Sequence, residues 1–100
     1  MAQLLKTDGT FTEVAPKDNL VFTLGELYGF VGRPVDILYL PSGKRLVVND
    51  EGKLTGLPYN AKASEIWKEE FPVEHFPVNN DQMIVGDVLI ATPEELGEEE

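Results

Sequence analysis

Short apolar runs and the turn residues between them divide the start of the chain into strands. Residues 2–5 and 11–14 are rich in apolar side chains, and Asp8-Gly9 lies between them. Glycine adopts the positive φ of a tight hairpin turn without steric cost, so this pattern predicts an antiparallel hairpin. Pro16 cannot donate a ladder hydrogen bond, and the second strand is therefore expected to end before it.

A second pair of apolar runs predicts another hairpin in the middle of the chain. Val35 to Leu40 and Arg45 to Asn49 flank the turn sequence Pro41-Ser42-Gly43-Lys44. Residues 35–40 are mostly apolar on both alternating faces, which favours a central rather than an edge strand. Met83 to Ala91 predicts the last strand, in which Gly86 indicates a bulge or a close approach of another segment.

Capping residues and apolar spacing predict a first helix. Thr23 and Glu26 have the spacing of a capping box, in which each side chain binds the other residue's backbone amide. Helical spacing places four apolar residues on one face: Leu24, Leu27, Tyr28 and Val31. Gly25 and Gly29 weaken this helix by about 1 kcal/mol each relative to alanine, and we expect them to let it pack closely on a sheet. Gly32 predicts its end.

Two further helices are predicted towards the C-terminus. Asn60 is a good N-cap, because its side-chain oxygen can accept from an amide that has no partner within the helix. The helix that follows spans about ten residues. Its core side consists of Ala63, Ile66 and Trp67. Thr92 followed by Pro93 predicts the start of a short third helix.

Together these elements predict an α+β fold: an antiparallel sheet of about five strands, two helices on one face and a short C-terminal helix. The length of 100 residues fits one domain, which we expect at residues 1–96, followed by an acidic tail at 97–100. No apolar run approaches the roughly 20 residues that a membrane-spanning helix needs. Residues 1–9 lack the apolar centre of a signal peptide, so we expect a cytoplasmic protein with no membrane partner.

Charge is the strongest signal in the composition. The chain has 18 acidic and 8 basic residues, a net charge of −10. Direct binding to nucleic acid needs a basic face, so it is not expected. A protein partner with a basic surface fits this charge. The alternative is that the acidic residues only keep a small domain soluble and that the tail is disordered. The acidic residues predicted to form the partner-binding surface are Glu65, Glu69, Glu70, Glu74, Glu94 and Glu95.

No residue constellation predicts catalysis or metal binding. The single histidine, His75, has no cysteine or second histidine with which to form a metal site. Asp50 and Glu51 lack the alternating ligand spacing of a calcium loop. We therefore expect no cofactor, no metal and no enzymatic activity.

A glycine-rich segment that ends at a helix N-terminus predicts an anion-binding loop. Its residues are Lys53, Gly56, Tyr59, Asn60 and Lys62. The spacing differs from that of a phosphate-binding loop, because no helix begins directly after Lys53. A nucleotide held here would lie between subunits of a homo-oligomer, since one chain of this size is too small to enclose it.

The same segment carries a resemblance to a known family. Residues 51–60 read acidic-Gly-Lys-Leu-x-Gly-Leu-Pro-x-Asn, and they are followed by Ala63 and by Asp81-x-x-Ile84-x-Gly86. This pattern resembles a family of small domains of unknown function in phages, plasmids and integrative elements of Gram-positive bacteria. The resemblance covers residues 4–96, but Ala61 stands where family members often have arginine. It implies a mobile-element setting, in which genes of this size often encode antagonists of host defence.

Three functional hypotheses follow. The first is an inhibitor of a host defence system such as CRISPR-Cas, which docks its acidic surface on a basic nucleic-acid-binding site of a host protein. The second is a sponge that sequesters a small cyclic nucleotide signal in the loop of residues 53–62. The third is a structural or regulatory interaction domain without an antagonist role.

Overall fold

The computed structural model describes residues 2–17, 21–52, 55–70 and 84–97. Its strands are β1 (Ala2–Leu5), β2 (Phe11–Val14), β3 (Val35–Tyr39), β4 (Arg45–Asn49) and β5 (Val88–Ala91). Its α-helices are α1 (Leu24–Val31) and α2 (Ala61–Glu70), and a 3-10 turn spans Glu94–Leu96. Both predicted hairpins are confirmed, since β1 pairs with β2 and β3 pairs with β4 in antiparallel register.

The five strands form one antiparallel sheet in the order β2-β1-β5-β4-β3. The last strand of the chain, β5, therefore lies in the centre, between β1 and β4. The prediction that β3 is a central strand is wrong, because β3 lies at an edge of the sheet that the described residues form. It is apolar on both faces for another reason: Ile37 packs into the core on one side of the sheet and Leu38 into the core on the other.

Helices cover both faces of the sheet, so the predicted placement of two helices on one face is wrong. On the α1 side the buried core includes Leu27, Val47 and Leu89. On the α2 side it includes Leu46 and Ala63, with Ile66 and Trp67 packed against it. The physical reason is that β4 and β5 carry large apolar side chains at consecutive positions, which point alternately to the two faces of the sheet. Both faces are therefore apolar, and each is buried beneath a helix.

The segment before β5 approaches the rest of the chain closely, as predicted for Gly86. Regular strand begins at Val88, and Val85 makes an isolated bridge with Tyr59. Gly86 has φ 78°, and a Cβ atom there would lie 2.8 Å from Cδ1 of Leu57. The start of the predicted strand, at Met83, lies outside the described residues.

Both predicted boundaries of α1 are confirmed. The hydroxyl of Thr23 accepts a hydrogen bond from the amide of Glu26 at 3.1 Å, and the Glu26 carboxylate accepts one from the amide of Thr23 at 2.8 Å. Gly32 ends the helix with φ 87° and donates its amide hydrogen to the carbonyl of Tyr28.

The predicted C-terminal helix is present only as the 3-10 turn Glu94–Leu96. Thr92 still performs the expected capping, since its hydroxyl accepts from the amide of Glu95 at 3.2 Å. Gly97 follows in the left-handed conformation and ends the turn. Residues 98–100 of the expected acidic tail lie outside the described residues.

The capping box of α1 leads to a pH-dependent prediction. Backbone hydrogen bonds, first from Thr23 and then from Lys17, lower the pKa of the Glu26 carboxyl below its ordinary value. The resulting stabilisation is complete above the pKa of this group in the unfolded chain, and it disappears as pH falls through the lower folded-state pKa. We expect Glu26→Gln to reduce the free energy of unfolding near neutral pH, and the difference from wild type to vanish in acid.

Denaturant unfolding between about pH 7 and about pH 3 measures this difference. Leu24→Ala is the control, because this exposed neighbour takes no part in the capping box, and its effect on stability should not change with pH. A Glu26→Gln difference that is constant with pH would contradict the role of the carboxylate.

Candidate functional site

Asn60 is the most highly connected side chain of the predicted anion-binding loop. It is fully buried, and its Oδ1 accepts from the amide of Ala63 at 3.0 Å, which confirms it as the cap of α2. Its Nδ2 donates to the carbonyls of Leu5, at 3.1 Å, and Gly86, at 2.9 Å. The side chain thus joins the end of β1, the start of α2 and the segment before β5.

Ser64 adds a second connection one turn further along α2. Its side chain is also fully buried, and its hydroxyl oxygen accepts from the amide of Ile84 at 2.9 Å. The amide of Asn60 donates to the carbonyl of Ile84 at 2.8 Å. These bonds fix the segment before β5 against the first turn of α2, and their partners are groups of this chain rather than a ligand.

The other described residues of the predicted loop are exposed. Tyr59 is 43% exposed, and Lys62 lies on the exposed surface of the first turn of α2. Gly56 is in an open turn with φ 76°. Lys53 lies outside the described residues. Tyr59 and Lys62 are therefore the described side chains of this group that face solvent, while both ends of the Asn60 amide are engaged.

The predicted acidic surface is divided between two elements. Glu65 and Glu69 are one helical turn apart on α2, and both are exposed. The side chain of Glu70 and the whole of Glu74 lie outside the described residues.

The second acidic group lies in the turn after β5. Glu94 is exposed, whereas the carboxylate of Glu95 accepts hydrogen bonds from the amide and the hydroxyl of Thr92. The carbonyl of Glu95 accepts from the amide of Phe22 at 2.8 Å, so this turn adjoins the segment that leads into α1. The acidic residues of α2 and those of the turn therefore belong to different layers of the molecule.

A groove beside α1 is a surface feature that the sequence reasoning missed. It has a volume of about 660 Å³ and lies between the end of β2 and α1. Its lining comprises Val14, Ala15, Lys17, Thr23, Gly25, Glu26, Gly29 and Phe30. Phe30 packs edge-to-face on Phe22, with ring centroids 5.8 Å apart, so one wall of the groove is held in place by the core.

The two glycines of α1 face this groove, and the prediction that they let the helix pack closely on the sheet is wrong. No atom lies within 4 Å of a Cβ built at Gly29, and at Gly25 the nearest is the Thr23 hydroxyl oxygen at 3.9 Å. At Gly52, by contrast, a Cβ would lie 2.9 Å from Cγ2 of Val85. A pair of glycines four residues apart in a helix was the sequence signal that could have indicated an open surface.

The described residues offer no assembled metal site. Within residues 2–17, 21–52, 55–70 and 84–97, no group of three or more histidine, cysteine or acidic side chains is placed to hold an ion. None of the helices in this part of the chain has the length and apolar character needed to cross a membrane. His75 lies outside these ranges.

The fold defines the class of the protein as a small three-layer α+β domain, with a helix on each face of a five-stranded antiparallel sheet. The chain belongs to the DUF3846 family, a domain of unknown function whose model matches residues 4–100. No significant match is found among curated proteins or among solved structures. Membership of a family of unknown function is thus confirmed, whereas the mobile-element origin stays a prediction.

Proposed function

We propose that this chain is a non-enzymatic binding protein of a phage or other mobile element that inhibits a host defence protein, such as a CRISPR-Cas effector. It docks an acidic surface on the basic site where the host protein binds nucleic acid. The observation that supports this proposal most directly is the net charge of −10, together with the exposed carboxylates of Glu65 and Glu69 on α2.

The physical basis is long-range attraction. A strongly acidic chain is steered to a basic surface, which raises the association rate and makes it depend on salt. Lys62 and Lys68 are also exposed on α2, so the local charge of this helix is mixed. Long-range attraction therefore comes from the net charge of the whole chain. On contact, the carboxylates of α2 determine how the chain is oriented on its partner.

We expect the chain to displace labelled double-stranded DNA from a purified CRISPR-Cas effector of a Gram-positive host. The double variant Glu65→Lys/Glu69→Lys should slow association with that effector by about tenfold, because it reverses the charge of the docking surface. Raising the salt from about 50 mM to about 500 mM should slow the wild type similarly. Stopped-flow fluorescence measures both rates.

The matched control is Asp50→Lys/Glu51→Lys, which makes the same change in net charge at exposed residues of another segment. A smaller effect of this control supports a docking surface on α2. Equal effects of the two double variants reject that assignment, and association that is independent of salt rejects electrostatic docking altogether. An effector that keeps its DNA excludes the nucleic-acid site as the target.

The alternative of a nucleotide sponge has less support from the geometry. The predicted loop offers Tyr59 and Lys62 to solvent, but the amide of Asn60 is fully engaged with backbone groups. A thermal-shift screen with cyclic nucleotides is expected to leave the melting temperature unchanged. A clear shift with one of them would favour the sponge over the inhibitor.

A further inference from the structure

The two edges of the sheet are protected differently. At the β3 edge, the amide of Ile37 points away from β4 and donates to the carboxylate of Asp36 at 2.9 Å. On one face of the sheet, the guanidinium of Arg45 of β4 lies 4.5 Å from the ring centroid of Tyr39, its partner on β3. A side-chain carboxylate thus occupies an outward-pointing amide of the β3 edge, and charged groups on edge strands disfavour further strand pairing.

Among the described residues, none protects the β2 edge in this way. The amide of Lys6 donates to the carbonyl of Thr10, so the ladder to β1 continues through Thr12 and Val14. The amides and carbonyls of Phe11 and Glu13 therefore point outward. Within the part of the chain that the structure describes, no strand pairs with this edge.

The groove lies on the same flank as this edge. Val14 faces the α1 side of the sheet, where it packs against the core and also lines the groove. A further strand beside β2 would direct alternate side chains to the α1 side, towards the groove. Phe30 supplies an apolar wall there, and Gly25 and Gly29 leave the backbone of α1 bare.

We propose that the β2 edge and this groove bind an extended, basic segment of a partner protein as a sixth strand. Apolar side chains at alternate positions of that segment fill the groove. The intervening positions face the side of the sheet where Phe11 is 57% exposed and Glu13 is also exposed, and lysine or arginine there complements Glu13. A second copy of this chain fits poorly, because it would bring together two chains of net charge −10.

The test uses synthetic peptides that alternate valine with lysine or valine with glutamate, with binding to the full chain measured by fluorescence anisotropy. We expect the lysine peptide to bind and the glutamate peptide not to bind. Gly29→Leu fills the groove without changing the charge. Phe11→Pro also keeps the charge, and it removes an outward amide while sparing the ladder to β1. Each variant should weaken binding by about tenfold or more.

Leu24→Ala is the control, because Leu24 is an exposed residue of α1 that does not line the groove. It should bind the lysine peptide as the wild type does. The melting temperature of Gly29→Leu should be equal to or above that of the wild type, since leucine favours a helix more than glycine. If both test variants bind the lysine peptide as tightly as the wild type does, simple charge attraction explains the binding and the proposal is overturned. Sedimentation showing a wild-type dimer that these variants dissociate would also overturn it, by identifying a second copy as the occupant.

Discussion

Replacing Asn60 with alanine is expected to lower the free energy of unfolding by about 3 to 5 kcal/mol. The change removes a side chain that is fully buried. It leaves the carbonyls of Leu5 and Gly86 without this donor, and it removes the acceptor for the amide of Ala63. Each buried group left unpaired costs about 1 to 3 kcal/mol, which is a large part of the stability of a small domain.

Two further variants at the start of α2 separate the contribution of the Asn60 hydrogen bonds from the effect of any change in this turn. Asn60→Asp retains an oxygen that can cap the helix, but it places a second oxygen against two carbonyl oxygens, so we expect it to destabilise the fold as well. Lys62→Ala changes an exposed residue of the same turn and should alter stability by no more than about 0.5 kcal/mol. Urea unfolding followed by circular dichroism measures all three. A cost below about 1 kcal/mol for Asn60→Ala would contradict the described hydrogen bonds.

Asn60 also shows which hydrogen bonds can be predicted from sequence and which cannot. Its role as a cap follows from its position just before a helical pattern, because capping involves residues three apart. Its bonds to Gly86 and Leu5 join residues 26 and 55 positions away. Such bonds depend on how distant segments meet, which local patterns do not encode. The same residue was therefore predicted both as a cap and as a ligand contact, and the structure gives it three partners within the chain.

The sheet shows the same division between local and long-range information. Both hairpins were predicted because a tight turn determines which strands pair. The central position of β5, between β1 and β4, depends on pairings across most of the chain, and turn residues give no information about them. Apolar side chains on both faces of β3 were interpreted as a sign of a central strand, whereas they reflect helices on both faces of the sheet.

The groove beside α1 could not be predicted from the pattern of apolar, polar and glycine positions, for a related reason. Gly25 and Gly29 were recognised as costly within a helix, but their surroundings depend on where α1 lies on the sheet. The helix packs over β3, β4 and β5 and leaves the flank beside β2 open.

Replacing Leu46 or Leu89 with alanine is expected to cost about 2 to 5 kcal/mol in each case. Both side chains are fully buried, Leu46 on the α2 side of the sheet and Leu89 on the α1 side. A sheet covered on one face only would bury one of them and expose the other, so the pair of variants distinguishes the two architectures.

Leu24→Ala is the matched control, because it makes the same change at a leucine that is 53% exposed. Denaturant unfolding of the three variants measures the costs. A small cost at Leu46 or at Leu89 would show that no helix covers the face of the sheet to which that side chain points, since a truncated side chain leaves a cavity only where other groups enclose it.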